Sequence, residues 1–169
     1  YVGRYGVDAP PDRIVVTTGS SGGFLLAFLA AFDAGARIAV TAPGYPAYAN
    51  ILSALGLEPV LLDVGEETRF APTAAILEAA HRDRKLHGAL FMSPANPTGA
   101  MITRDELARI CAFCEEAGIV FVSDEIYHGL EYEMRAETAL RFSHHALVIN
   151  SFSKYYAMTG WRLGWLVAP

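Results

Sequence analysis

The segment Ile14–Gly23 (IVVTTGSSGG) changes from a strand-like to a helix-like pattern within a few residues. Ile14 to Thr18 is a short β-branched run, which favours a strand, and the following turn leads into a helical stretch from about Ser20 to Phe32. A strand that is followed directly by a helix is typical of α/β domains. Because the helical stretch is apolar nearly all round, we expect it to be buried on more than one side.

The rest of the chain repeats this alternation of strand-like and helix-like stretches. Most predicted strands are continuous apolar runs, as expected when helices cover both faces of a parallel sheet. The sequence therefore predicts an α/β fold with three layers, α/β/α, around a mainly parallel sheet. The further strands are predicted at Ile38–Thr41, Pro59–Val64, Ala89–Met92, Ile119–Ser123, Leu147–Asn150 and Leu163–Val167. The further helices are predicted around Tyr48–Leu55, at Thr73–Arg82 and from Thr103 to Gly118.

The composition is that of a globular domain with an apolar core: 169 residues, 53% hydrophobic and 18% charged, with a net charge of −5. A negative net charge gives no reason to expect nucleic acid or an anionic membrane as a partner. The longest apolar run, Phe24 to Phe32, is too short to span a bilayer.

The two cysteines form a C-x-x-C motif, which in other contexts marks a redox or metal site. Here Cys111 and Cys114 fall in the middle of a predicted helix and continue the apolar stripe of Leu107 and Ile110. A redox pair needs a helix N-terminus to stabilise its thiolate. We therefore expect both cysteines in the core, no metal site, and a reducing, cytoplasmic location.

Polar residues collect where four of the predicted strands end, and ligands in such sheets bind beyond the carboxyl ends of the strands. The first strand is followed by Gly19–Gly23 and the fourth by Ser93–Gly99. The fifth ends in Asp124–Tyr127 and the next in Ser151–Lys154. Each of these sequences alone is also typical of an ordinary turn, but together they predict a binding site at one edge of the sheet.

Lys154 is unusual because the chain contains only one other lysine. Lys85 lies in the polar run His81–Lys85, which reads as a solvated helix end. Lys154 instead falls between a buried strand and the apolar stretch Tyr155–Trp165. An amine in apolar surroundings loses its charge more readily and becomes a nucleophile, as Schiff-base chemistry requires.

The turn at Gly19–Gly23 offers free backbone N–H groups and a favourable helix dipole to a phosphate group. Arg162 adds a permanent positive charge for the same group. A phosphate site, a nucleophilic lysine and a carboxylate are what pyridoxal 5′-phosphate requires. The lysine would form the imine, and the carboxylate would pair with the protonated pyridine nitrogen.

Several motifs resemble those of class I/II (fold-type I) aminotransferases. SFSK at residues 151–154, followed by GWRLG at residues 160–164, resembles the lysine signature of that family. PGYPAY at residues 43–48, NPTG at residues 96–99 and DEIY at residues 124–127 resemble its other blocks, in the same order. The resemblance covers nearly the whole chain, and it implies that the strand after Arg162 runs antiparallel to the rest.

The resemblance also implies a role for each matching residue. Lys154 would form the internal aldimine and, once released, carry the proton between the substrate carbon and the cofactor. Asp124 would pair with the pyridine nitrogen, and Tyr127 and Asn96 with the ring's phenolic oxygen. Tyr45 would stack on the face of the ring. The residues implied for the phosphate are Ser20, Ser21, Gly22, Ser151 and Arg162, with Ser153 as a weaker candidate.

Family members also have an N-terminal segment and a C-terminal small domain, and they form dimers. We therefore expect residues 1–169 to be a partial large domain of a homodimeric, cytoplasmic aminotransferase of amino-acid metabolism. It would transfer an amino group between an amino acid and a 2-oxo acid. The family's arginine for the substrate α-carboxylate has no match here, so we expect the isolated chain to lack appreciable activity.

Three alternatives share part of this evidence. A serine hydrolase would use Ser21 in a G-x-S-x-G turn, with Asp124 and either His128 or His144. It would leave Lys154 and Arg162 unexplained. A non-catalytic domain that binds pyridoxal phosphate would keep the same motifs. So would a β-lyase or decarboxylase, because the surroundings choose the fate of the carbanion.

Overall fold

The computed structural model describes residues 1–169 as a seven-stranded sheet with helices on both faces. The strands are β1 (Ile14–Thr17), β2 (Arg37–Ala42), β3 (Glu58–Asp63), β4 (Gly88–Met92), β5 (Val120–Asp124), β6 (Leu147–Ser151) and β7 (Gly164–Val167). The helices are α1 (Val2–Tyr5), α2 (Gly19–Ala31), α3 (Ala47–Ala54), α4 (Ala74–Asp83) and α5 (Arg104–Ala117). Each strand predicted from the sequence is present, with bounds that differ by at most one residue.

The order of strands in the sheet is β1-β7-β6-β5-β4-β2-β3. β7 pairs antiparallel with both of its neighbours, and the other strand pairs are parallel. The predicted three-layer fold with a mainly parallel, mixed sheet is therefore confirmed. The predicted reversal of the strand after Arg162 is confirmed as well.

Two apolar cores lie on the two faces of the sheet. Cys111 and Cys114 belong to the core beneath α4 and α5, where they are buried and free. Burial raises the pKa of each thiol to about 12. They are therefore core side chains, as predicted, and they are held in the unreactive thiol form.

The prediction that α2 is buried on more than one side is wrong. Its buried residues, among them Gly23, Phe24 and Phe28, recur at helical spacing and face the sheet. On the other side, Leu25, Leu26 and Leu29 are 42%, 49% and 67% exposed. No other element of the chain covers this face, so an apolar sequence alone was a poor guide to burial here.

The parallel strands end at the same edge of the sheet, and this edge gathers the connections that carry the unusual residues. The N-terminus of α2 follows β1, and the Pro43–Tyr48 segment follows β2. The loops after β4, β5 and β6 begin at the same edge. None of the helices combines the length and apolar character needed to cross a membrane.

Candidate active site

A cleft of about 160 Å³ lies at this edge of the sheet. Its lining comes from α2, from the segment after β2, and from the loops after β4, β5 and β6. Eight of the ten residues predicted to bind the cofactor line it: Ser20, Ser21, Tyr45, Asn96, Asp124, Tyr127, Lys154 and Arg162. Its apolar wall includes Phe24, Ile51, Met92 and Ile126.

Two predicted residues, Gly22 and Ser151, do not line the cleft. Gly22 lies in the first turn of α2, where an added Cβ would come within 2.5 Å of Thr18 Oγ1. Ser151 is buried, and its Oγ accepts a hydrogen bond from the Ser153 backbone N–H at 3.1 Å. Both residues thus shape the surrounding turns, whereas Ser153, the weaker candidate, does line the cleft.

One end of the cleft is suited to an anion. The first turn of α2 has no side-chain cap, because the N-cap residue Thr18 makes no capping hydrogen bond. Its free N–H groups and the helix dipole therefore favour a negative charge. Arg162 lies against the same turn, and it has no carboxylate within 4.0 Å of its guanidinium.

Two glycines make this close approach possible. Gly19 has a left-handed backbone with φ of 72°, and an added Cβ would lie 2.5 Å from Nη2 of Arg162. At Gly164, a Cβ would lie 2.8 Å from both the Gly19 carbonyl carbon and the Asn150 carbonyl oxygen. Arg162 is itself left-handed (φ 50°, ψ 47°) and donates to the Thr159 carbonyl at 3.1 Å.

The acid of the site is Asp124, the last residue of β5, which is only 2% exposed. Its Oδ1 accepts from the Ile126 N–H at 3.0 Å, and its Oδ2 accepts from the Tyr48 hydroxyl. Burial raises the pKa of Asp124 to about 6, and the two hydrogen bonds oppose that rise. Each carboxylate oxygen has two lone pairs, so the group can accept a further N–H.

Tyr48 is a site residue that sequence reasoning missed. The pattern assigned it only to the apolar face of a helix, and its ring is indeed buried beside Phe24. Burial, followed by the nearby charge of Asp124, raises the pKa of its hydroxyl well above the ordinary value. A buried tyrosine needs a partner for its hydroxyl, and this rule was the available signal for the contact.

The surroundings of Lys154 differ from the expectation of an apolar pocket. The side chain is exposed, and its neighbours Tyr155, Tyr156 and Trp161 are more than half exposed. The lysine Nζ lies 5.7 Å from the centre of the Tyr127 ring, with no carboxylate within 4.0 Å. The amine is therefore unpaired and stands at the cleft beside Tyr127.

The structure does not assemble the serine hydrolase alternative. Ser21 lines the cleft together with Asp124, but no histidine does. His128 is buried elsewhere, with its Nδ1 2.6 Å from the Tyr5 hydroxyl. His144 is exposed on the loop before β6. No group of three or more His, Cys, Asp or Glu side chains is placed to hold a metal ion.

The family model for aminotransferases of class I and II matches residues 1–169. The chain belongs to the class I and II aminotransferases. This family uses pyridoxal 5′-phosphate, and the cleft fits that cofactor at three points. The uncapped turn of α2 with Arg162 suits its phosphate, the remaining lone pairs of Asp124 suit its ring nitrogen, and the amine of Lys154 suits its aldehyde.

Proteins similar in sequence to this chain are also aminotransferases. It is 56% identical to the valine–pyruvate aminotransferase of Mycobacterium tuberculosis, over 100% of this chain and 44% of that protein. A transaminase of Methanocaldococcus jannaschii acting on (5-formylfuran-3-yl)methyl phosphate is 37% identical, over 99% of this chain and 43% of the relative.

Solved structures give the same result. A crystal structure of an aminotransferase from Mycobacterium tuberculosis superposes with a TM-score of 0.95 at 56% identity, covering 100% of this chain and 44% of the other. A putative aminotransferase from Silicibacter pomeroyi gives 0.95 at 51% identity, with coverage of 100% and 45%. The chain thus spans a little under half the length of the proteins that it matches.

Proposed function

We propose that this chain is the cofactor-binding part of a pyridoxal-phosphate-dependent aminotransferase, which moves an amino group between an amino acid and a 2-oxo acid. The observation that carries the proposal is the convergence of Lys154, Asp124 and Arg162 on one cleft. Each supplies a different group that the cofactor needs, namely an amine, a buried carboxylate and an unpaired guanidinium. Asp124 ends β5, whereas Lys154 and Arg162 lie eight residues apart in the connection between β6 and β7, so the geometry of a single turn does not account for their meeting.

The proposed binding mode assigns each wall of the cleft to one part of the cofactor. Arg162 and the N–H groups of the first turn of α2 would bind the phosphate. The ring of Tyr45, half exposed at the cleft, would stack on the pyridine face. Asn96 and Tyr127 would hold the phenolic oxygen by hydrogen bonds.

Asp124 and Lys154 would carry the chemistry of the protein. When bound, the cofactor supplies an electron sink for the charge left when the substrate α-carbon loses a proton. Asp124 would keep the ring nitrogen protonated, because its buried carboxylate accepts the N–H. Lys154 would hold the cofactor covalently through Nζ and, once free, carry the proton from the substrate carbon.

For the substrates we propose an amino acid with an aliphatic side chain and a small 2-oxo acid. Support comes from the name of the relative at 56% identity, which is valine–pyruvate aminotransferase. The apolar side chains of Phe24, Ile51 and Met92 in the cleft wall agree with an aliphatic substrate.

We further propose that the full-length protein is a cytoplasmic homodimer. The exposed leucines Leu25, Leu26 and Leu29 of α2 form an apolar face that a partner could cover. The buried free cysteines agree with a reducing compartment. Analytical ultracentrifugation of the full-length protein tests the dimer, and a monomer at micromolar concentration would contradict it.

The experiment that tests the proposed function is an amino-transfer assay with the full-length protein. Pyridoxal phosphate, valine and pyruvate are supplied, and alanine formation is measured by chromatography. We expect alanine in the parent protein and in Lys85→Ala, and none above background in Lys154→Ala. If alanine is absent from the parent across a panel of aliphatic donors, the proposal is wrong. Equal rates in both lysine variants would contradict the role of Lys154.

A further inference from the structure

The segment Asp124–His128 carries four polar side chains, two on each of its sides. Asp124 and Tyr127 line the cleft. Glu125 and His128 do not, and they are buried beneath it at 1% and 6% exposure. The proposed mechanism uses the first pair and leaves the second pair without a role. A buried carboxyl and a buried imidazole are costly unless they are hydrogen-bonded.

Glu125 is bonded on one oxygen only. Its Oε1 accepts from the Thr138 hydroxyl and from the Ala139 N–H, each at 2.9 Å. Its Oε2 has no hydrogen-bond partner and lies 3.5 Å from Nδ1 of His128. The same Nδ1 lies 2.6 Å from the hydroxyl of Tyr5. Glu125, His128 and Tyr5 therefore form one contiguous buried polar cluster.

This cluster connects the cleft to α1, which is far away in sequence. Tyr5 is the last residue of α1, and its ring packs beside that of His128, with the centres 5.7 Å apart. A second link runs through Arg4, which is paired with Glu131. Glu131 also accepts from the Gly129 N–H at 2.5 Å. Arg4 and Tyr5, two consecutive residues of α1, thus contact Glu131 and His128, which follow Tyr127 in the chain.

Burial favours the uncharged forms of Glu125 and His128. Burial raises the pKa of Glu125 to about 8 and lowers the pKa of His128 to about 4. The charges that face them, Asp124 for Glu125 and the Arg4–Glu131 pair for His128, change these values less than burial does. The contact between the Tyr5 hydroxyl and Nδ1 of His128 is therefore a neutral hydrogen bond, whose strength depends on geometry more than on salt.

We propose that Tyr5, Glu125 and His128 are positioning residues, through which α1 fixes the segment 124–128 and so aims Asp124 and Tyr127 at the cofactor. This inference rests on the proposed function, because it assigns the cluster to the same cleft. The backbone couples the two sides directly. The Glu125 N–H donates to the Ile149 carbonyl, and the His128 N–H donates to the Glu125 carbonyl. A shift of His128 must therefore move Tyr127, its neighbour in the chain.

Tyr5→Phe in the full-length protein is the test, because it removes only the hydroxyl that contacts His128. The matched control is Tyr1→Phe, which removes a hydroxyl 2.9 Å from Nε1 of Trp165 but keeps the ring that packs 5.6 Å from that of Tyr5, and leaves the Tyr5–His128 contact in place. Two properties are measured for each variant. One is the dissociation constant of pyridoxal phosphate, and the other is the pH midpoint of the bound cofactor's absorbance. A third measurement, urea unfolding of the cofactor-free protein, reports stability.

We expect Tyr5→Phe to increase the dissociation constant of pyridoxal phosphate by about fivefold, which is the change expected when one typical hydrogen bond is lost. The absorbance midpoint should move to higher pH, because a displaced Tyr127 donates less well to the phenolic oxygen and stabilises its charged form less. In Tyr1→Phe, both properties should match the parent, while urea unfolding changes to a similar degree in the two variants.

Equal cofactor affinity and equal midpoints in Tyr5→Phe and the parent would overturn the positioning role. So would equal changes in Tyr5→Phe and Tyr1→Phe, since these would indicate a general effect of stability. His128→Asn is the second variant, and it should reproduce both changes seen in Tyr5→Phe. Failure of the proposed function has a different signature, because the parent protein itself would then bind no cofactor at Lys154.

Discussion

The hydroxyl of Tyr48 donates a hydrogen bond to Oδ2 of Asp124, so a helix and a strand on different parts of the chain meet at one carboxylate. The bond opposes the effect of burial on Asp124, whose pKa nevertheless rises to about 6. Without this hydrogen bond, the pKa of Asp124 would be higher. Tyr48 therefore helps to keep the carboxylate charged, which is the form that pairs with a protonated pyridine.

Tyr48→Phe should raise the pKa of Asp124 further, because it removes a hydrogen bond to the charged form and leaves the burial unchanged. In the full-length enzyme, the acid limb of the pH–rate profile should move to higher pH. Tyr132→Phe, at a fully exposed tyrosine, is the control and should leave the profile unchanged. An acid limb at the same pH in Tyr48→Phe and the parent would contradict this role.

Asp124→Asn should leave cofactor binding largely intact, because the phosphate contacts remain. Turnover should fall by roughly 10²- to 10³-fold or more, since a neutral pyridine no longer draws off the charge of the substrate carbon. Steady-state kinetics with saturating cofactor measures this loss. Asp63→Asn, at an exposed aspartate that ends β3, should behave like the parent. Near-normal turnover in Asp124→Asn would show that Asp124 is not the partner of the ring nitrogen.

The raised pKa of Asp124 also predicts how stability depends on pH in the cofactor-free chain. Between about pH 4 and pH 6, folded Asp124 binds a proton that the unfolded chain has released. Its contribution to stability therefore falls as the pH rises through this window. Urea unfolding of Asp124→Asn should show a smaller fall than the parent over the same range. Glu125 and His128 titrate in both proteins, so the difference isolates Asp124, and parallel curves would contradict the assignment.

Gly19→Ala tests the anion site, and Gly35→Ala is its matched control. Gly19 and Gly35 both have left-handed backbones, with φ of 72° and 81°, but only a Cβ at Gly19 would meet Arg162. Alanine at either position should cost about 1 kcal/mol of stability because of its backbone conformation. Only Gly19→Ala should also weaken the binding of pyridoxal phosphate, measured by absorbance titration. Equal affinities in the two variants would remove Arg162 and Gly19 from the phosphate site.

The sequence predicted the sheet well because its strands are apolar runs, each followed by a distinctive loop. That Asp124 and Lys154 line one cleft was predictable because each lies at or just after the carboxyl end of a strand, whereas Arg162 was assigned to it by the motif that precedes β7. Tyr48 was missed because an amphipathic pattern reports burial and says nothing about the partner of a hydroxyl.

Other errors have a common physical origin. The exposure of Lys154 and of one face of α2 depends on which elements pack over them, and local pattern does not contain that information. The role of Ser151 stays a prediction: it does not line the cleft, and its Oγ accepts from the Ser153 N–H, which leaves its own O–H free to donate. The cluster of Tyr5, Glu125 and His128 joins residues more than 120 positions apart, beyond the reach of any local signal.

Borohydride reduction shows whether Lys154 holds the cofactor, because it converts an imine into a stable secondary amine. The full-length protein is loaded with pyridoxal phosphate, reduced, digested with trypsin and analysed by mass spectrometry. Modification of Lys154 blocks cleavage there, so we expect a single cofactor-bearing peptide spanning Phe142–Arg162, with Lys85 unmodified. Recovery of the cofactor on Lys85, or on no peptide, would contradict it.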